Sequence, residues 1–552
     1  MAAKKNGFVD IGDGDSLKTT KKSYEQDEKL INGKIKDRKN GYMKSTQSNG
    51  STPKMTQVEG GGLPKIDWSK YDTFPGSFEK CSLLTAVLTH VGLYVLMFLG
   101  FVNQLIFKPK AATEKNREGY APLYDPFEQF FSRYVYRRVR HCFNRPICSA
   151  PGAEVVLKEW ESTDHNWTFK FTGVERRCVN LGSYNYLGFA GGEGAEGGCA
   201  RAVADAVRRY GMAQGSSRAE LGTTPLHLEL ERAVADFLGV EDAIVFGMGF
   251  ATNTLSIPGL IGPGTLVLSD ENNHASLILG LRLSRATVRV FRHNDVRHAE
   301  ELARAALAER RWANVLLVVE GVYSMEGSVA ALEGLVALKQ ALGLHLYVDE
   351  AHSVGALGST GRGALQRCRV LAAHVDVLMG TFTKSFRAAG GYIAGPRRLV
   401  QWLRAHGHAH GYAHSMSCGV AAQVLAAVRA LDAAPGRARV RALAQNTAYF
   451  RRRLRELGVV TFGHDDSPVV PMLVYTFSKM AATVERLTRA GVATVGVGFP
   501  ATPLNMARIR FCLSASHTRE QLDRCLLAVE QVADELGLRY SRRRPLAEPR
   551  PS

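Results

Sequence analysis

Three short segments hold the residues best suited to chemistry. Tyr347-Val348-Asp349-Glu350-Ala351-His352-Ser353 puts an acid at the end of an apolar run and a histidine three residues later, so two polar side chains stand over one crevice. Gly380-Thr381-Phe382-Thr383-Lys384-Ser385-Phe386 sets a lysine just past another apolar run, among hydroxyls and backbone amides. Ser269-Asp270-Glu271-Asn272-Asn273-His274-Ala275-Ser276 adds a second histidine. A buried lysine titrates downward and can form a Schiff base. An aspartate can keep a pyridine nitrogen protonated, and a histidine can stack on the ring; these are the needs of pyridoxal phosphate (PLP) chemistry. The phosphate needs backbone N–H groups at a helix start, and Gly247-Met248-Gly249-Phe250-Ala251-Thr252-Asn253 follows an apolar run as required. Each piece alone is weak. The Asp-Glu-Ala-His box also occurs in helicases, but no GxxxxGK[ST] signature accompanies it. A lysine after a strand is usually solvated, and a glycine pair is usually a turn. Together the pieces carry weight, because four strand ends would have to converge by accident.

The elements that must position these residues are legible as apolar runs. Ala243–Phe246, Thr265–Ser269, Val288–Phe291, Val315–Val319, Leu344–Val348, Val375–Met379 and Tyr392–Ala394 are short and apolar on both faces, as a parallel sheet covered by helices requires. Amphipathic stretches such as His298–Arg310 and Leu332–Leu342 lie between them. The pattern predicts a large α/β domain over 176–435, with active groups at the strand C-termini. A smaller α+β domain follows over 436–540. It comprises helix Val440–Leu457, strands near Val469–Val474, Val492–Val497 and Arg508–Ser514, and helix Arg519–Leu536.

The flanks differ. Residues 1–80 are polar and basic and read as a disordered arm. Cys81–Phe107 follows, with no charged residue from Ser82 to Val102, and is long enough to cross a bilayer as a helix. Lysines flank it on both sides, so charge does not settle its orientation. The segment 108–175 is membrane-proximal. Within it Tyr120–Arg145 alternates aromatics with arginines, which suits either an anionic membrane surface or packing on the enzyme body. Gly191–Gly198 reads as a flexible loop and 541–552 as a loose tail. The 552 residues are 45% hydrophobic and 22% charged, which excludes a mainly disordered chain and a polytopic membrane protein. Basic residues exceed acidic ones by 70 − 52 = 18, which suits anionic partners such as phosphate-rich small molecules or lipid. Nine scattered cysteines with no CxxC pair point to a reducing compartment and to no metal centre.

The sequence resembles the α-oxoamine synthase family of fold-type I PLP enzymes, and within it the PLP-bearing long-chain-base branch of the serine palmitoyltransferases, from about Gly119 to Tyr540. The stretches that carry the resemblance are YAPLYDPFEQF, NRPICSAPG, NLGSYNYLGFA, FGMGFATN, LSDENNHASL, VEGVYSMEGS, YVDEAHSVGALGSTGRG, MGTFTKSF, DSPVVPM and VGFPATP. The resemblance implies that Lys384 bears PLP, Asp349 pairs with the pyridine nitrogen and His352 bonds the ring hydroxyl. His274 stacks on the ring and contacts the substrate carboxylate. Thr381 and the amides of Gly249 and Phe250 bind the phosphate, and Ser324 lies near the ring oxygen. Arg510, with Arg508 as runner-up, binds the carboxylate. His414 and Ser415 belong to a stretch that reaches a neighbouring subunit's cofactor.

The implied reaction is decarboxylative condensation of L-serine with a long-chain acyl-CoA to 3-oxosphinganine. The implied setting is the endoplasmic reticulum membrane, with a single span and the catalytic domain in the cytosol. The implied partners are a sister long-chain-base subunit lacking the PLP lysine, and small activating and regulatory membrane subunits; nucleic acid is not expected. The alternatives are an α-oxoamine synthase using another amino acid, and a weakly active or scaffold subunit. The membrane span argues against the first and retention of Lys384, Asp349, His352 and His274 against the second. Three places depart from the family pattern. Arg387 stands where glycine is expected, at a cost on the order of 1–3 kcal/mol if φ is positive there. Gly211-Met212-Ala213 replaces a Gly-x-Gly, and the stretch Tyr412–Gly419 lacks its prolines.

Overall fold

The computed structural model describes residues 64–71, 79, 82–106, 126–191 and 198–542. Most of the arm, the ends of the apolar segment, Tyr120–Asp125, most of the glycine-rich patch and most of the tail lie outside the described residues.

An antiparallel hairpin opens the enzyme body, formed by β1 (Glu154–Glu161) and β2 (Lys170–Asn180). The central sheet follows. Its strands are β3 (Asp242–Phe246), β4 (Thr265–Asp270), β5 (Thr287–Phe291), β6 (Asn314–Glu320), β7 (His345–Asp349), β8 (Val377–Thr381) and β9 (Gly391–Gly395), in the order β3-β9-β8-β7-β6-β4-β5. Only β9 runs antiparallel to its neighbours. The seven apolar runs are therefore all strands, each within about two residues of its expected bounds. Every residue of β4 is buried, and all of β6 after Asn314, because helices cover both faces. The C-terminal ends of β4, β6, β7 and β8 bring Asp270, Glu320, Asp349 and Thr381 to one edge.

The smaller region holds β10 (Val469–Tyr475), β11 (Val492–Ala493), β12 (Val495–Val497) and β13 (Ala507–Cys512). The expected strand Val492–Val497 is split at Thr494. Its first half joins β2 in parallel and its second joins β13. The closing helix, Arg519–Leu536, starts where Thr518 and Gln521 cap each other and stops where Gly537 turns left-handed at φ 59°. The helix expected from Val440 begins earlier, at Ala434, with Pro435 in its first turn and Gly436 buried inside it.

Leu83–Ile106 is one helix of 24 residues, about 36 Å at 1.5 Å per residue, long and apolar enough to cross a membrane. Only Thr89 and Gly100 are buried along it. The arm does not stay loose to residue 80: Trp68 donates through Nε1 to Glu300 Oε2 at 2.7 Å, and Ile66 and Trp68 pack on the large core. Two apolar side chains, Ile66 and Trp68, where the chain enters a short helical turn at Trp68–Lys70, supplied the contact that composition alone did not reveal.

Candidate active site

Lys384 follows β8 and is largely buried. Desolvation, offset in part by Asp349 and Glu320, lowers its amine to about 8. At neutral pH a useful share of this amine is therefore neutral. Asp349, at the end of β7, accepts from Asn253 Nδ2 at 2.9 Å and from the Ala351 N–H at 2.9 Å. Asn253 donates also to Ser276 Oγ at 2.9 Å and accepts from the Tyr347 hydroxyl at 2.6 Å. Ser276 Oγ in turn lies 2.7 Å from His274 Nδ1. One amide thus ties the strand β7 acid to the histidine after β4. Asn253 sits on helix Gly249–Leu260, and its contacts lie 23 to 96 residues away in sequence.

His352 is fully buried, which holds its imidazole well below the usual range, and its Nδ1 shares a 2.8 Å hydrogen bond with the Tyr186 hydroxyl. The Tyr184 ring packs edge-on against His352, with centroids 4.8 Å apart. The Arg510 guanidinium lies 4.6 Å from that same ring and Lys384 Nζ 5.8 Å from it. Tyr184 is therefore shared by lysine, histidine and arginine. Arg510 Nη1 also donates to the Ser324 carbonyl at 3.4 Å. Arg508 is turned to Glu326, at 3.3 Å, and to the Met325 carbonyl, at 2.9 Å. It braces the loop that carries Ser324.

The glycine after β3 has a spatial reason. A β-carbon on Gly249 would meet Thr381 Oγ1 at 2.7 Å, so the start of helix Gly249–Leu260 lies against the Thr381 hydroxyl. That helix start, with its free N–H groups and Thr381, is a cradle for an anion such as a phosphate. Phe250 stands edge-on to His274 at 6.0 Å. With Lys384, Asp349 and His352 these residues form one floor at the C-terminal ends of the strands, and their types fit PLP: an amine, an acid, imidazoles and a phosphate cradle.

His414 and Ser415 lie on a stretch that runs beside the turn after β3, where a β-carbon on Gly247 would meet the His414 carbonyl at 3.8 Å. His414 is exposed and bridges Ser217 through the backbone, and Ser415 donates its N–H to the Ser216 carbonyl at 3.0 Å. Arg387 adopts φ 49°, the left-handed conformation that favours glycine, and is half-buried.

Glu320, Asn253, Tyr184 and Tyr186 are site residues that the sequence motifs did not single out. Glu320 is fully buried beside Asp349, its register partner, and accepts the His274 N–H at 2.5 Å. Burial, with Asp349 as the next cause, raises its carboxyl well above the usual range. A charge ending the apolar run Val-Leu-Leu-Val-Val was the available signal.

Comparison with known proteins agrees with this architecture. The aminotransferase class I and II family model matches residues 176–529. The chain is 45% identical to serine palmitoyltransferase 3 of Homo sapiens over 545 residues, covering 94% of this chain and 96% of that protein. It is 43% identical to long chain base biosynthesis protein 2a of Arabidopsis thaliana, over 77% of this chain and 88% of that one. Among solved structures, Sphingomonas wittichii serine palmitoyltransferase superposes with a TM-score of 0.65 at 28% identity, covering 75% of this chain and 99% of that one. A structure of SPT with PLP superposes with a TM-score of 0.66 at 26% identity, covering 75% and 100%.

Proposed function

The chain belongs to the serine palmitoyltransferase and long-chain-base family within the class I and II aminotransferase fold, and from that premise we propose how its residues divide the work. The reaction is PLP-dependent condensation of L-serine with a long-chain acyl-CoA, giving 3-oxosphinganine, CoA and CO₂. The observation that carries this reading is the largely buried Lys384, its amine lowered to about 8, set between Asp349 and the Tyr184–Arg510 pair.

PLP, when bound, supplies an electron sink for the charge left at the serine α-carbon. The chain's own residues do the rest. Thr381 and the N–H groups of Gly249 and Phe250 hold the phosphate. Asp349, fixed by Asn253 and Ala351, serves the pyridine nitrogen. Neutral His352, fixed by Tyr186, serves the ring hydroxyl together with Ser324. Arg510 takes the serine carboxylate, and His274 orients it. Lys384 accepts the α-proton in its neutral form. A carbon–carbon bond then forms between the serine α-carbon and the thioester carbonyl carbon, the CoA thiolate leaves, the serine carboxyl departs as CO₂, and the protonated Lys384 returns a proton to the α-carbon. Burial of this floor excludes the water that would otherwise protonate the carbanion or hydrolyse the thioester.

His414 and Ser415 reach across to a partner's pocket, or serve no catalytic end if that site is empty. They lie on a surface where Leu221 (83% exposed) and Tyr412 (86% exposed) present apolar area to solvent, along loops that pair with each other at Ser217 and His414. The family resemblance, with the membrane helix, is what supports a heterodimer with a sister long-chain-base subunit lacking the lysine, joined by small activating and regulatory membrane subunits. The helix Leu83–Ile106 anchors the enzyme in the endoplasmic reticulum membrane as a single span, with the catalytic body in the cytosol. The eight described cysteines are all free, in keeping with that reducing side.

The test is reconstitution of the full chain with and without the sister subunit, assayed with serine and palmitoyl-CoA. Product from the pair and little from the chain alone is the expected result. Full activity from the lone chain would overturn the heterodimer, and glycine replacing serine as the better substrate would overturn the substrate assignment.

A further inference from the structure

The β1–β2 hairpin is an arm whose outer half leaves the enzyme body. β2 gains a third strand only at Val179 and Asn180, where β11 pairs with it, and Lys170–Glu175 is exposed throughout. A solvated arm should be polar, yet this one displays Trp167 (52% exposed), Phe171 (63%) and Val174 (47%). Trp160 stacks on Phe169 at 4.6 Å and lies near-parallel to Phe171 at 6.4 Å, so these three rings form one patch. Cations stand over these rings. The Arg137 guanidinium lies 4.4 Å from the Trp167 ring, Arg140 5.5 Å from Phe169, and Lys158 Nζ 5.9 Å from Phe171. Of the arm's acids, Glu159 pairs with Arg176 and Glu154 with Arg177, each at 3.4 Å, and Asp164 is taken up by the Thr168 and Trp167 N–H groups at its own turn. Glu175 and Glu161 stand opposite Lys158 and Lys170 in the register, so the free positive charge at the tip comes chiefly from the arginines of the neighbouring segment. Aromatic rings with basic side chains around them are the composition of the membrane–water interface.

The arm's attachment says which surface it meets. Asn166, beside Trp167, donates through Nδ2 to the carbonyls of Arg137, at 3.1 Å, and Arg138, at 3.2 Å. The arm's tip therefore hangs on the segment Pro126–Cys142. One turn earlier in that segment, Tyr134 and Phe130 pack on the membrane helix at Gly100, where a β-carbon would meet them at 3.0 and 3.1 Å. Gly100 is six residues, about 9 Å at 1.5 Å per residue, from the helix end at Ile106. The tip thus sits within two helical turns of residues that touch the apolar span.

We propose that the β1–β2 arm is a second membrane contact. Trp167 and Phe171 lie at headgroup level, and Arg137, Arg140, Lys158 and Lys170 engage the phosphates of an anionic leaflet. The inference rests on the reading that Leu83–Ile106 spans the bilayer. A single helix would let the body swing about its connection. A contact offset from that helix sets the tilt of the body, and with it the approach of the site to a lipid-borne chain.

The experiment uses the full chain reconstituted into phosphatidylcholine vesicles, with and without phosphatidylserine, made with lipids brominated near the top of the acyl chains. An environment-sensitive fluorophore is placed on Trp167→Cys in a Cys148→Ser background, because Cys148 is an exposed free thiol. A second probe, on Tyr94→Cys, reports the membrane helix. Both probes should be quenched by brominated lipid in the phosphatidylserine vesicles. Quenching at 167 should fall by at least half when phosphatidylserine is omitted, and likewise with Arg140→Glu plus Lys158→Glu, while quenching at 94 stays unchanged. Quenching at 94 with none at 167 would overturn the arm's role and leave the membrane helix standing. Absence of quenching at both would overturn the span as well. Quenching at 167 indifferent to lipid charge and to charge reversal would overturn the assignment to anionic lipid.

Discussion

The catalytic floor and the β1–β2 arm treat polar and apolar groups in opposite ways. At the floor, ionisable groups are buried and nearly every one has a partner: Asp349 with Asn253, His352 with Tyr186, His274 with Ser276. On the arm, aromatic rings are exposed with arginines and a lysine over them. Burial at the floor sets protonation states, lowering Lys384 and His352 and raising Glu320. Exposure on the arm sets nothing internally and makes sense only against a second surface. Chemistry is thus located by buried polar groups with partners, and association by apolar groups without them.

The contrast can be broken at the floor first. Asp349→Asn should lower kcat by about three orders of magnitude, because the acid serving the pyridine nitrogen is lost while its hydrogen-bonding shape remains. A loss under about tenfold in steady-state assays would make Asp349 merely structural. Asn253→Ala leaves Asp349 and Ser276 short of a donor in a buried site. That omission is worth about 1–3 kcal/mol, so kcat/KM should fall roughly ten- to hundredfold. An unchanged value would show that the network does not position the acid.

A smaller effect concerns pH. Burial lowers the Lys384 amine to about 8, so the unfolded chain holds more protons than the folded one between that value and the ordinary range near 10.5. Stability of the PLP-free protein should therefore rise with pH across that window, by up to about 3 kcal/mol. Comparing thermal midpoints at both ends for wild type and Lys384→Met checks this; the difference between the two proteins should shrink as pH rises. The smallest effect is Arg387→Gly. Relieving a left-handed arginine at φ 49° should stabilise by about 1 kcal/mol or less, seen as a small rise in thermal midpoint.

The two regions also differed in how far the sequence revealed them. The sheet was legible because strands buried on both faces are continuous apolar runs, as in Val315–Val319. The helix Arg519–Leu536 was legible because its caps are local. The split at Thr494 was not, since it depends on two different sheets competing for one strand. The hairpin was also missed. Its strands carry charge and aromatics in no clean alternation, and half of β2 has no core to face. At the site, Lys384, Asp349 and His352 are visible because each follows an apolar run within a few residues. Asn253, Tyr184 and Tyr186 act through contacts that only the fold brings together, such as the 166 residues between Tyr186 and His352.

The most direct test of the central claim follows the serine carboxyl. The full chain, with the proposed sister subunit, is given palmitoyl-CoA and L-serine labelled at the carboxyl carbon, and released CO₂ and free CoA thiol are counted together. The account predicts equal amounts of labelled CO₂ and CoA, both dependent on serine and both lost in Lys384→Ala. CoA release with the label retained in an organic product, or undiminished release by Lys384→Ala, would contradict it.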